Sequence, residues 1–260
     1  MDQALIEMPP AEAAELSNRL ASEEYNRQRS CPQRKDELYV HLSDVRLFLG
    51  DYCRESFCQL LDYGCGGSPY KTLFNTKRYI RADYVNSRNI DLRIGEDGRL
   101  GLPDSSVDVV LSTQVLEHVF SPQKYLSEAF RVLSPGGRLI LTTHGIWEDH
   151  GCPYDFRRWT ANGLELELIT QGFQVTRAAK LTTGARAAVF LLGQRYGQLF
   201  SSRRNLTGLL FWLLWKRAFA NLEYRHAWID ARFANCRMVD AKLPGHDLYL
   251  ALGIEGRKPL

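Results

Sequence analysis

No apolar run in this 260-residue chain approaches the length of a membrane span. The longest, Leu209-Leu210-Phe211-Trp212-Leu213-Leu214-Trp215, is far short of the about 20 residues a spanning helix needs. No basic stretch leads into an apolar core at the start either, since Met1 to Glu24 alternates acids with alanine, and no secretory signal is expected there. Charge of one sign is also scarce. A formal net charge of +3 excludes the basic stripe that a nucleic-acid surface requires, and leaves Arg157-Arg158 and Arg203-Arg204 as local clusters, the second read as solvated surface. The six cysteines form no C-x-x-C pair and no zinc-ligand spacing, so free thiols in a reducing cytoplasm are expected. There is no internal repeat and no low-complexity segment.

What is present is ordinary globular material, 45% apolar and 24% charged, enough for a substantial core. It is organised around Gln59-Leu60-Leu61-Asp62-Tyr63-Gly64-Cys65-Gly66-Gly67-Ser68-Pro69-Tyr70, where a short apolar run ending in an acid breaks into a glycine-rich turn. Positions without a Cβ at Gly64 and Gly66 let the backbone turn sharply and approach a ligand closely.

Four segments follow from the patterning. Residues 1–58 read as an N-terminal helical segment or lid, broken at Pro9-Pro10 and Pro32, with a helix from Asp36 to Cys58 laid on a sheet. Residues 59–183 alternate strands (60–63, 78–84, 107–112, 138–143, 173–177) with helices (from 71, 122–133, 160–171), and Pro135-Gly136-Gly137 reads as a tight turn. Residues 184–240 read as a helical insertion, and 241–260 as a closing strand and tail. Strands alternating with helices imply right-handed β-α-β units and a mainly parallel sheet, with ligands at the strands' C-terminal ends. The expected fold class is therefore α/β and Rossmann-like, a mainly parallel seven-stranded sheet flanked by helices.

A glycine turn alone is a weak sign of a nucleotide site. Here a strand precedes it, and a second strand ends in Asp83, close to the offset at which an acid accepts from ribose hydroxyls. Leu61-Asp62-Tyr63-Gly64-Cys65-Gly66, Asp83, Leu102-Pro103-Asp104-Ser105-Ser106-Val107-Asp108-Val109-Val110, Val115-Leu116-Glu117-His118-Val119 and Arg131-Val132-Leu133-Ser134-Pro135-Gly136-Gly137 run in order from about 59 to 143. The string resembles a class I methyltransferase dependent on S-adenosylmethionine. That resemblance implies that Gly64 and Gly66 line the methionine and ribose part of the cofactor. Asp62 would shape the loop or reach the amino group through water, and Asp83 would bind the ribose hydroxyls. Glu96 or Asp97 would accept from the adenine amine, and Gln114 would lie beside the methionine moiety. S-adenosylhomocysteine would be the product.

Two departures stand out. Ser68 replaces the third glycine of the usual pattern, and a small residue still fits there. Some ubiquinone-pathway relatives read E-x-x-E-H and bind a divalent ion, whereas this chain reads Gln114-Val115-Leu116-Glu117-His118, so no metal is expected. Glu117 and His118 then read as polar residues organising the turn after a strand.

Methyl transfer from a sulfonium is an in-line displacement, so the protein must align the nucleophile, exclude water and, for a hydroxyl acceptor, remove a proton. The stretch from His144 to Thr160 is dense in suitable groups. His144 and His150 are the candidate bases, and Tyr154, Asp155 and Arg158 the candidate acceptor contacts. Asp155 and Arg158 are equally readable as a structural ion pair, with Trp159 packed beneath the loop and Thr160 capping the next helix. Pro153-Tyr154-Asp155, Arg158-Trp159-Thr160 and Gly163-Leu164 resemble a subgroup found in bacterial glycan pathways, implying a sugar hydroxyl as acceptor, with a secondary metabolite as the alternative. A non-catalytic partner subunit is the reading from another class. The insertion, with Trp212, Trp215, Lys216, Arg217, Tyr224, Arg225, His226 and Trp228, reads as pocket wall or homodimer surface, or as a peripheral membrane contact.

Overall fold

The computed structural model describes residues 22–84, 90–95, 98–150, 154–199 and 221–260, with Asn18 and Leu213 as isolated positions. Helix α1, Glu23–Ser30, starts where the Ser22 hydroxyl accepts from the Tyr25 N–H, with Glu23 and Glu24 in its first turn. Helix α2, Tyr39–Gly50, buries Val40, Val45, Phe48 and Leu49. It ends eight residues before the expected limit at Cys58, because β1 already begins at Ser56. Phe57 is the reason: its side chain is buried in the apolar layer beneath α2, which an extended backbone supplies and a continued helix does not.

The sheet strands are β1 (Ser56–Tyr63), β2 (Asn75–Asp83), β3 (Leu92–Arg93), β4 (Val107–Thr113), β5 (Leu133–His144), β6 (Gln174–Thr183), β7 (Met238–Asp240) and β8 (Tyr249–Arg257). Helices α3 (Pro122–Val132) and α4 (Ala161–Thr170) lie between β4 and β6, and α5 (Gly184–Leu199) and α6 (Leu222–Arg232) between β6 and β7. The order is β3-β2-β1-β4-β5-β8-β6-β7. β3, β2, β1, β4 and β5 run parallel, while β8 is antiparallel to both β5 and β6. The described sheet thus has eight strands instead of the expected seven. Two short strands, β3 and β7, have no counterpart among those read from the sequence; β7 lies inside the stretch expected to be helical, because Met238 to Asp240 pair antiparallel with Ala179 to Leu181. β5 also starts earlier than the Pro135-Gly136-Gly137 turn suggested: Leu133 pairs with Val107, and Gly136 takes φ +76 as the strand continues.

Alternation along the strands separates two apolar layers. Leu61, Tyr63, Leu139 and Leu141 point to the side covered by α3 and α4, where Leu126, Ala129, Leu164 and Leu168 meet them. Leu60, Leu111 and Ile140 point to the other side, under Val45, Phe48 and Leu49 of α2. That helix comes so close that a Cβ on Gly253 of β8 would stand 2.7 Å from the Phe48 ring. A third cluster, Val40, Phe190, Ile229 and Leu250, joins α5 and α6 to α2 and β8.

Buried charge stitches the same parts. Asp44 of α2 is fully buried and accepts from Arg186 Nε at 2.7 Å, Arg237 Nε at 2.7 Å and the Thr182 hydroxyl at 2.9 Å. Arg186, itself fully buried, also donates to Asp230 of α6 at 3.0 Å. In the insertion, Tyr224 and Trp228 are exposed, but Arg225 and His226 are buried, the latter with Nδ1 at 2.7 Å from the Arg34 carbonyl, so those two do not form a surface patch. Trp212, Trp215, Lys216 and Arg217 lie outside the described residues. Among the described residues no helix is long and apolar enough to cross a membrane.

Candidate active site

β1 has β2 on one side and β4 on the other, so the chain reverses its direction of sheet growth there and opens a crevice at the strands' C-terminal ends. The glycine turn lies in it. Gly64 has φ +83, and a Cβ there would stand 2.6 Å from Val115 Cγ1, so both backbone and space demand glycine. Gly64 and Cys65 donate their N–H groups to the Ala82 carbonyl at 2.8 and 3.0 Å, folding the turn back over β2. Gly66 takes φ +50 and Ser68 φ +55, so the serine in the third glycine's place adopts the left-handed backbone as well. The Gly66 N–H donates to Asp83 Oδ2 at 2.6 Å.

Asp62 lies inside the β1–β2 seam, 2% exposed, and accepts from the Tyr79 hydroxyl at 2.6 Å. Burial raises its carboxyl to about 7 against the pull of that hydrogen bond, with the Asp83 charge adding to the rise. Its observed partner is thus within the sheet, in keeping with a loop-shaping role. Gln114, which follows β4, has φ +54 and donates its backbone N–H to the Thr142 carbonyl at 2.8 Å. Both its side-chain amide atoms are buried without a hydrogen-bond partner. Glu96 and Asp97 lie outside the described residues.

Past Gln114 the chain makes a single helical turn, Leu116–His118, which carries Glu117 to a fully buried position. Glu117 Oε2 accepts from the Thr143 hydroxyl at 2.7 Å, and Oε1 has no hydrogen-bond partner. Burial raises this carboxyl to about 7, with the Thr143 bond opposing. His144 Nε2 stands 3.5 Å and His118 Nε2 4.0 Å from Oε1. His144 ends β5 at 4% exposure in a triangle of rings, its centroid 5.2 Å from that of His41 of α2 and 4.8 Å from that of Trp147, which lie 4.7 Å from each other. Burial, then the nearby histidines, pushes it well below the ordinary histidine range.

His150 is the open member of this group, its side chain 35% exposed, edge-on to His144 at 5.0 Å and to His118 at 4.9 Å. Its Nδ1 lies 3.2 Å from the Glu148 carbonyl and 3.3 Å from Asp155 Oδ2, and its backbone N–H donates to the same oxygen at 2.9 Å.

Asp155 and Arg158 form the structural pair. Arg158 Nη1 donates to Asp155 Oδ1 at 2.5 Å, and the same guanidinium donates to the carbonyls of Trp147 and Glu148 at 3.1 and 2.6 Å. Burial pushes the Asp155 carboxyl up, but the bonds from Arg158 and the His150 N–H outweigh it and hold it down at about 2. Their donors and acceptors are engaged inside the loop, the ion-pair arrangement that the sequence offered beside an acceptor contact. Tyr154 is half-buried, with its carbonyl 2.6 Å from His118 Nδ1. Thr160 caps α4 by accepting from the Gly163 N–H, as expected.

His41 was not visible in the sequence as a site residue, while Glu117 was read as organising the turn and Arg157 only as part of a local basic cluster. Arg157 donates to the Val119 and Phe120 carbonyls at 2.6 and 3.0 Å, and the Phe156 N–H donates to the Glu117 carbonyl at 2.8 Å, so residues 156–157 clamp the turn carrying Glu117. The one available signal was the density of histidine near the ends of β4 and β5.

Comparison with known proteins bears on the same region. A family model described as a methyltransferase domain matches residues 61–141. A probable S-adenosylmethionine-dependent methyltransferase of Mycolicibacterium smegmatis is 37% identical over 119 residues, 44% of this chain and 45% of that one. The chain therefore spans less than half of that relative's length. A Thermotoga maritima structure titled a SAM-dependent methyltransferase, possible histamine N-methyltransferase, superposes with a TM-score of 0.53 at 16% identity, covering 95% of this chain and 99% of that one. The [4+2]-cyclase SpnF superposes with a TM-score of 0.51 at 19% identity, covering 85% and 81%. At these identities the two structures establish a shared fold.

Proposed function

We propose that this chain, whose core is a class I methyltransferase domain, moves a methyl group from S-adenosylmethionine to a hydroxyl of a small acceptor of the sugar or glycan-intermediate class. The observation that carries the cofactor reading is the cradle itself. Gly64, Gly66 and Ser68 hold left-handed backbone at the sheet's crevice, Asp83 ends β2 beside them, and the buried Gln114 amide has both donor and acceptor unmatched. An unsatisfied buried amide is costly, and a ligand carrying an amine and a carboxylate offers it partners. Gly64, Gly66, Asp83 and Gln114 would hold the cofactor, with Glu96 or Asp97 toward the adenine. When bound, it supplies an electrophilic methyl on a sulfonium.

The protein's own part is alignment, exclusion of water and handling of the acceptor proton. His150 is the half-exposed imidazole in the loop after β5, and Asp155 holds its Nδ1 side, so it is the group we assign to take the hydroxyl proton. Tyr154 is the remaining acceptor contact from the same loop. A secondary-metabolite acceptor is the second reading. It is favoured by the Phe120 and Phe156 rings, both exposed, which meet edge-on at 5.6 Å near the loop. The SpnF likeness keeps chemistry other than methyl transfer in view, because fold does not fix reaction.

Calorimetry with S-adenosylhomocysteine tests the cofactor reading, and saturable binding at one site per chain is expected. Absence of binding by the full chain overturns it and leaves the partner-subunit reading. Incubation with S-adenosylmethionine and a panel of sugars or aromatic metabolites, read by the mass gain of one methyl, then separates the two acceptor classes.

A further inference from the structure

Glu117, His144 and His150 come from three places in the chain: the turn after β4, the end of β5 and the loop beyond it. Each offers one ligand atom, and the three atoms lie within 4.8 Å of one another. Two features say more than proximity. Glu117 Oε1 is a buried carboxylate oxygen with no hydrogen-bond donor, an arrangement that is costly unless a positive group faces it. It also stands 3.5 Å from His144 Nε2. Two ligands bonded at about 2.1 Å to one tetrahedral ion are ~3.4 Å apart, so this pair already has the spacing of a metal edge.

We infer that Glu117, His144 and His150 bind a divalent transition-metal cation of the zinc class. Two imidazoles and one carboxylate suit a borderline ion and not the hard cations magnesium and calcium, which prefer oxygen throughout. His150 completes the set from a half-exposed ring. Its Nδ1 lies near the Glu148 carbonyl and Asp155 Oδ2, the kind of outer support that orients a metal-bound histidine. The expectation of no metal counted carboxylates within the run from Gln114 to His118; the fold draws its further ligands from β5 and the loop after it.

Binding of the ion stands independently of the methyltransferase reading, but its use rests on that reading. An ion held by Glu117, His144 and His150 would keep a coordination position open and would act as a Lewis acid that makes an acceptor hydroxyl easier to deprotonate. His150 then serves as a ligand in place of a proton acceptor.

The test uses tag-free full-length protein stripped with a chelator and titrated with cobalt(II), followed by visible absorption, and with zinc(II), followed by calorimetry. One cobalt per chain with the intense visible bands of a four- or five-coordinate site is expected, with zinc displacing it. His150→Ala, whose fold is checked by circular dichroism, should lose affinity by about 100-fold or more, and Asp155→Asn by about 10- to 100-fold. No saturable cobalt binding by the wild type overturns the inference. So does cobalt binding of wild-type strength in either His150→Ala or Glu117→Gln. Titrating S-adenosylhomocysteine into the same samples keeps the readings apart: cofactor binding without cobalt binding removes the metal site alone, and the converse removes the cofactor reading alone.

Discussion

The Gly66 N–H donates to Asp83 Oδ2 at 2.6 Å, so the turn after β1 and the end of β2 are joined by a charge-assisted hydrogen bond across the crevice. Asp83 thus shapes the loop, and under the proposed function the same carboxylate also accepts from the ribose. Asp83→Ala should weaken S-adenosylhomocysteine binding by about 1–3 kcal/mol, and Asp83→Asn, which can still accept from Gly66, should fall between it and the wild type. Calorimetry on the three proteins checks this. Equal affinities would remove Asp83 from the ribose site.

Gly64 meets both a backbone demand and a spatial one, and the two can be separated. Gly64→Ala adds a Cβ 2.6 Å from Val115 Cγ1 at a residue with φ +83. We expect it to lower stability in urea by about 1–3 kcal/mol from the backbone alone, with the contact adding to that. Val115→Ala in the Gly64→Ala background should recover the contact part and leave the backbone part. Full recovery in the double variant would mean that the left-handed conformation costs nothing there.

Asp62 predicts a pH dependence of stability. Its carboxyl is raised in the fold from 3.8 to about 7 by burial. Between those values the folded state holds a proton that the unfolded chain has released, so stability falls as pH rises from about 4 through about 7. The full loss from this group is roughly 4 kcal/mol. Asp62→Asn, which keeps an oxygen for the Tyr79 hydroxyl, should flatten the profile over that window. Parallel wild-type and variant curves from denaturant titrations at pH 5 to 8 would rule Asp62 out as the cause.

Asp44 joins α2 to α5, β6 and the approach to β7 through buried bonds to Arg186, Thr182 and Arg237. Asp44→Ala leaves the fully buried Arg186 guanidinium without its nearest counter-charge and should cost about 3–5 kcal/mol. Asp44→Leu combined with Arg186→Met should recover most of that, since a packed apolar pair replaces a buried ionic one at little cost. Denaturant midpoints decide between this and a network whose members act independently.

The parts legible in the sequence were those whose signals are local. Leu60 to Tyr63, Val107 to Leu111 and the inner face Tyr125, Leu126, Ala129 each carry their own apolar pattern, and they became β1, β4 and α3. The cradle was legible for the same reason, because Gly64, Gly66 and Asp83 sit at spacings that strand and turn geometry dictate. What was missed depends on distant pairing. Pro135-Gly136-Gly137 reads as a turn, yet Leu133 is held against Val107 and the Gly136 N–H donates to the Lys258 carbonyl at 2.9 Å, so the segment stays extended. Glu117 reads as a polar residue organising the turn after a strand; its burial comes with Thr143, His144 and the clamp at residues 156–157, none of them nearby in the chain. For Arg225 and His226 the sequence left pocket wall, homodimer surface and membrane contact open, and only the packing of Gly193 and the Arg34 carbonyl beside them shows that they are buried.

β8 lies between β5 and β6 although it follows both in the chain. The ribosome therefore delivers β1 to β6 before the strand that joins the two halves of the sheet exists, and until then β5 and β6 each carry an unpaired edge able to pair with another chain. Closure waits on the last strand, so a stop codon before Tyr249 would do more than shorten the protein. It would leave the nascent chain split along its centre, with two adhesive edges and no native way to cover either.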